Sequence, residues 1–345
     1  MNFKKKMLRN SEIQSNPKKR LRWNTKTVSC LVVVLLFSSC LKEETPVPAP
    51  VPGNVETTQI AIGWPYTNQV YYDCGTNTVV KTNTKYEWDL SFECDSNGFH
   101  VLLNTAKGIF VANQGAVPFS AVTTAAGANW LWDAPSGNLD STAFGNWENT
   151  NAVFIVDRQF DENGGHLGYK KIQLLHVDYQ SYTFKYANLN GTDEVTYTIN
   201  KDATRNFIHF NFDNGGQTLA LEPHKNDWDL LFTNHYHKFS NLPLPFVLTQ
   251  VLSNIHNGVT VAEDNANNFQ NIALLDTIDY VFTNAWDEIG YDWKIRNSQD
   301  NSFTIDGNKS YLIKTTEKLF YKIRLIDFYN ETGNKGYPKF EIQKL

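Results

Sequence analysis

The chain has 345 residues, 31 Lys+Arg against 36 Asp+Glu, and 41% hydrophobic residues, enough apolar material for more than one core. Nine of the basic residues crowd between Lys4 and Lys26, so the chain beyond residue 39 keeps 22 Lys/Arg against 35 Asp/Glu, a net charge near −13. So acidic a body gains nothing from counterion release at phosphates, which argues against a nucleic-acid partner.

In chain order, residues 1–39 read as a lipoprotein signal peptide: a basic segment, the apolar run CLVVVLLF (30–37), then small residues before Cys40. The run is too short to span a bilayer, which needs about 20 apolar residues. Cys40 is the expected lipidation site and hence the membrane anchor. The acidic LKEE (41–44) resembles the export signal of surface lipoproteins, so the expected location is the outer membrane, facing the cell exterior. TPVPAPVPG (45–53) repeats proline at every second position, which favours a stiff polyproline II tether. We assign residues 40–56 to this lipidated tether.

Two cysteines remain, Cys74 and Cys94. In an exported compartment they are candidates for a disulfide; the alternative is two buried free thiols.

Residues 70–93 align with 210–233 at a constant offset of 140, with 8 identities in 24 positions. The identities include Lys85/Lys225 and the Trp-Asp-Leu-x-Phe stretches of YEWDLSFE (86–93) and NDWDLLFT (226–233). A second echo pairs YKKIQLLHVDY (169–179) with FYKIRLIDFYN (320–330). We read two tandem copies of one domain, 57–202 and 203–345. In YEWDLSFE the apolar residues alternate with polar ones, the period of a half-buried strand. Asp89 and Asp229 then fall on the solvent face, solvated or bonded to a neighbouring turn. YDCGTNTVV (72–80) reads as a hairpin, and Glu331–Gly336 as a turn before a closing strand. The expected fold is all-β: two related antiparallel β-sandwich or barrel-like domains. The one helical candidate is a turn or two within PFVLTQVLSNI (245–255).

The acidic-tailed lipobox, the hairpin leading into a WDL-x-F strand, and YKIRLIDFYNETGNKGYPKFEIQ (321–343) together resemble the HmuY family of surface lipoproteins. The second half carries the better match. The resemblance implies an all-β fold, haem held between two axial His or Met side chains, and transfer to an outer-membrane β-barrel receptor.

Both methionines precede Cys40, so a haem site here needs histidine. Between the second WDL and Tyr-Lys-Ile strands stand His235, His237 and His256. NHYH (234–237) puts His235 and His237 on one strand face. LPLPFVLTQVL (242–252) could wall a porphyrin, so one of that pair and His256 are expected to face a cavity lined by Leu242, Leu244, Phe246 and Leu248. The first copy offers only His100 and His166 in the equivalent window. No metal-ligand spacing appears beyond these pairs, and no hydrolase, metalloprotease or phosphate-loop motif is present. The chain is therefore read as a non-enzymatic binding protein with haem as its ligand. Two other readings stand beside it. One is an accessory subunit docked on an outer-membrane β-barrel complex. The other is a carbohydrate binder using Trp64 and the aromatics of NWLWD (129–133).

Overall fold

The computed structural model describes residues 51–345; the signal peptide, Cys40 and residues 41–50 of the tether lie outside the described residues. Among the described residues strands take 41% and short helical turns 7%, and the sheets are open rather than closed into a barrel. Every strand pair is antiparallel. One four-stranded sheet runs β12 (Gln217–Leu219), β11 (Phe207–Asn211), β4 (Leu90–Glu93), β5 (Val101–Leu103). Its counterpart runs β3 (Thr78–Thr84), β2 (Asn68–Asp73), β13 (Leu230–His237), β14 (Phe246–Ser253). A five-stranded sheet holds β6 (Phe110–Asn113), β7 (Val153–Asp157), β8 (Tyr169–Val177), β9 (Ser181–Asn188) and β10 (Val195–Asn200). The matching one holds β15 (Thr260–Asp264), β18 (Ser310–Lys314), β19 (Phe320–Tyr329), β20 (Lys335–Lys344) and β1 (Glu56–Gln59). β16 (Lys294–Arg296) and β17 (Phe303–Ile305) form a small ribbon.

The pairing crosses the repeat. The β2–β3 hairpin of the first copy joins β13 of the second, and the β11–β12 hairpin of the second joins β4 of the first. One core is built from Leu90 through Phe212, the other from Ile60–Cys74 together with Leu230–Ile342. The boundary expected at 202/203 thus follows the sequence repeat, whereas packing divides the chain elsewhere. This also separates the cysteines. Cys74 sits in the second core and Cys94 in the first; both are free and buried. Burial pushes the Cys94 thiol up to about 11 and the Cys74 thiol well above its ordinary value. The disulfide candidate is corrected to two inert thiols.

The exchange explains the WDL repeat. The Asp89 amide donates to Phe210 O (2.8 Å) and the Asp229 amide to Tyr72 O (2.9 Å). Their carboxylates accept from Phe212 N (3.0 Å) and Cys74 N (2.9 Å) respectively. Each Asp therefore latches the hairpin supplied by the other copy. Neither is solvated as expected: Asp89 is 0% exposed and Asp229 6%. Leu90, Phe92, Leu230 and Phe232 fill the two cores. Such side chains contribute roughly 1.5–3 kcal/mol each on burial.

The second echo is structural as well. Lys171 donates to Val122 O (3.0 Å) and lies 4.9 Å over the Phe119 ring. Lys322 donates to Phe269 O (2.7 Å) and Ile272 O (2.8 Å), 4.8 Å over Phe269. Each buried ammonium closes the open end of a short 3-10 turn, Phe119–Ala121 or Phe269–Asn271. The helical candidate at 245–255 is instead β14, paired with β13 along its whole length, followed by a 3-10 turn at Ile255–Asn257.

A third matched pair escaped the sequence reading. Asn104 Nδ2 donates to Lys85 O and Trp88 O (2.7 and 2.8 Å), and Asn254 Nδ2 to Lys225 O and Trp228 O (2.8 and 2.9 Å). Asn104→Ala or Asn254→Ala strands one buried and one half-buried carbonyl. Each should lower unfolding free energy by about 2–3 kcal/mol in urea melts. A loss below about 0.5 kcal/mol, the level of ordinary surface changes, would remove these amides from the account.

Candidate functional site

The structure does not bring the three candidate histidines together: His235 and His256 line one cavity, and His237 lies outside it. β13 is covered on both sides: Leu230 and Phe232 enter the second core, while Leu231 and His235 face the sheet that contains β4 and β11. His235 is 1% exposed. Its Nε2 lies 2.9 Å from Pro135 O, so that nitrogen donates; Nδ1, 2.7 Å from Thr105 Oγ1, accepts from the hydroxyl. Both ring nitrogens are spent on bonds to the first copy, and burial holds the imidazole neutral.

His256, in the Ile255–Asn257 turn, packs edge-on against Phe207 and Trp286 (5.0 and 5.1 Å between ring centroids). Burial first, and the charge of His100 second, push it down to about 4. Its Nε2 has no partner among the described residues. His235 and His256 wall one cavity between the two four-stranded sheets, lined also by Tyr71, Trp88, His209 and Trp286. Its volume is about 60 Å³, room for about two waters and far short of a macrocycle.

The run expected to line that cavity lines a different one. Leu242, Phe246 and Leu248 wall a slot of about 390 Å³, together with Tyr66, Phe239, Tyr291, Lys294, Arg296 and Phe303. This lies in the ordinary range of ligand pockets, about 300–1,000 Å³. Leu244 is instead 43% exposed at the surface. His237 does not line this slot but packs behind two of its walls. It pairs across the ladder with Phe246, and its ring packs on Phe239 and Tyr291 (4.6 and 4.4 Å).

The slot carries charge that the sequence reading missed. Lys294 Nζ donates to Thr249 O (2.6 Å) and Tyr291 O (3.3 Å) and lies 4.3 Å over the Trp293 ring. Burial pushes its ammonium down to about 7, against the pull of Asp292. Arg296 is exposed at the same slot and bonded to Asn301. Among the described residues neither cation makes an ion pair; Asp292, the neighbouring carboxylate, is 2.7 Å from Lys309. The signal available in sequence was YDWKIR (291–296), a lysine between aromatic and aliphatic residues in a strand-like stretch.

In the first copy, His100 Nδ1 lies 2.6 Å from Glu93 and His166 Nε2 3.0 Å from Asp157. Of the aromatics considered for sugars, Trp130 stacks on Tyr169 (5.9 Å between centroids), which takes one ring face, while Trp64 is 63% exposed. Among the described residues no cluster of three or more His, Cys, Asp or Glu is placed to hold a metal ion.

The family model for HmuY protein matches residues 65–342. The chain belongs to the HmuY family. No curated protein matches it. Solved structures similar to this HmuY-family chain include apo PinO from Porphyromonas gingivitis, 11% identical with a TM-score of 0.30, covering 85% of this chain and 97% of that one. A candidate HmuY-like haem-binding protein from Bacteroides vulgatus is 16% identical with a TM-score of 0.23, covering 50% of this chain and 90% of its own. The apo HmuY analogue from Tannerella forsythia is 16% identical with a TM-score of 0.18, covering 51% and 95%. These likenesses are too distant to place a ligand. The slot's own geometry must do so.

Proposed function

We propose that this HmuY-family chain is a surface lipoprotein, anchored at Cys40 in the outer membrane, that binds haem in the slot beside His237 and catalyses nothing. The observation that carries the reading is the slot itself: an apolar aromatic space of about 390 Å³ with an imidazole packed behind its walls. Aromatic and aliphatic walls suit a porphyrin face. His235 and His256 are left out of the ligand set, since one is fully bonded and the cavity they share is too small.

Titrating the full mature chain with haemin tests this. The Soret band is expected to shift and saturate at one haem per chain. Phe246 is half exposed, so Phe246→Asp should leave the fold intact while placing a charge against the ligand, weakening binding about tenfold or more. His235→Ala should leave haemin affinity unchanged. Absence of a Soret shift, or an unaltered titration in Phe246→Asp, would count against the slot.

One observation favours docking on a barrel complex as a second role. Leu275, Ile278 and Val281 are 79%, 81% and 84% exposed at three-residue spacing. The first two lie in the 3-10 turn Leu274–Asp279, where that spacing stacks side chains on one face. If this is a docking face, Ile278→Asp should abolish co-purification with a barrel while sparing haemin binding; unchanged co-purification would exclude the face.

A further inference from the structure

Among the described residues the cations of the slot form no ion pair, and this says what the slot recognises. An ammonium offers three N–H donors. Lys294 spends two on the carbonyls of Thr249 and Tyr291, and the rings of Trp293, Phe328 and Phe303 surround it at 4.3, 5.2 and 5.9 Å. The third donor has no partner among the described residues, an unfavourable state for a buried ammonium that an anion or acceptor on a ligand would relieve. Arg296, on the same strand β16, adds a planar guanidinium at the exposed part of the slot suited to bidentate carboxylate binding. A third cation, Lys335, lies 5.5 Å over Phe303, one of the slot walls. By contrast no histidine among the described residues lines the slot; His237 packs behind it, between Phe239 and Tyr291.

We propose that the slot selects flat apolar carboxylates, Lys294 and Arg296 receiving the acid groups, so that it takes tetrapyrroles by their propionates rather than by their iron. This rests on the reading of the slot as a tetrapyrrole site and sharpens it: metal-free porphyrin is a ligand in its own right. The aromatic walls supply the apolar contact. The two cations supply orientation, turning the acid edge toward β16 and leaving the opposite edge toward Phe246 and Leu248. His237 contributes little to affinity.

Three probes separate these contributions in the full mature chain: haemin, protoporphyrin IX, and protoporphyrin IX dimethyl ester, the last two read by quenching of tryptophan fluorescence. Haemin and protoporphyrin IX should bind within about threefold of each other, while the neutral ester, lacking a charged acceptor, should bind about tenfold or more weakly. Lys294→Met keeps the volume of the buried stem. It should weaken both acids about tenfold and leave the ester unchanged, closing the gap between them. Arg296→Gln changes an exposed residue, leaves the core untouched, and should close part of the same gap. His237→Ala should alter the haemin Soret position but move protoporphyrin IX affinity less than about twofold, since that ligand has no iron to coordinate. Tight haemin binding with no protoporphyrin IX binding would overturn the proposal, as would an ester that binds as well as the acid. If none of the three probes binds, the slot reading itself fails, an outcome distinct from a porphyrin that binds without regard to its acid groups.

Discussion

Asp89→Asn is expected to destabilise the chain by about 3–5 kcal/mol, the usual cost of stranding buried charge, while Asp229→Asn costs about 1 kcal/mol or less. The two aspartates occupy the same place in the repeat but meet different partners. Asp89 Oδ1 is 2.6 Å from Lys107 Nζ and Oδ2 is 2.9 Å from Arg158 Nη2, all three side chains being buried. Without the carboxylate, the Lys107 ammonium has no anion among the described residues, and Arg158 keeps only Asp213 at 2.8 Å. Asp229 has no cation beside it and accepts one amide, from Cys74. Burial raises its carboxyl to about 6, so a neutral amide is a close substitute. Urea midpoints of the two variants decide the matter. Equal losses would mean that the ion pairs at Asp89 do not hold the exchanged hairpin.

The second large effect is on pH. Burial raises Asp133 and Glu222 to about 7 and Asp229 to about 6, against about 4 in an unfolded chain. The folded chain therefore holds protons that the unfolded chain has released; this stability is full below about pH 4, falls as pH rises from there, and is gone above about 6–7. Burial lowers His209 to about 3 and His256 to about 4, against about 6.5 unfolded. Their contribution is present above about 6.5 and is lost as pH falls toward about 3–4. Between about 4.5 and 6 the two slopes oppose each other. Lys294, held near 7 by burial, adds stability above that point and limits the alkaline decline. With three carboxyls set against two imidazoles, the expected profile is a maximum near pH 4–4.5, a shallow decline to about pH 7, where Lys294 halts it, and a fall below about 4. Glu222→Gln should make the decline between about pH 4.5 and 7 shallower still. Stability that rises across that interval would contradict the assignment of neutral buried carboxyls.

Much of the frame was legible in sequence for a physical reason. The WDL-x-F strand and the Tyr-Lys-Ile strand each combine core residues with one polar group in an obligatory bond, so both copies retain the pattern. Hairpin exchange leaves no such trace. A constant offset of 140 residues is the same whether a hairpin pairs with its own copy or the other. Asp89 and Asp229 were assigned to a solvent face because period-2 alternation assumes one bare face, and here the alternate face also meets protein. The histidine grouping failed on a similar point. β13 turns His235 toward the other four-stranded sheet, while its end carries His237 past that seam, behind the walls of the slot. For Lys294 the stretch YDWKIR offers only a hint, a lysine flanked by aromatic and aliphatic residues, and does not mark it as buried. Only the packing of Trp293, Phe303 and Phe328 around it does so.

A structure of the full mature chain with haemin bound tests the central claim most directly. The account predicts the macrocycle against Phe246 and Leu248 with its propionates at Lys294 and Arg296, and the cavity between His235 and His256 unchanged. A porphyrin lying between His235 and His256, with the two four-stranded sheets driven apart to admit it, would contradict the account.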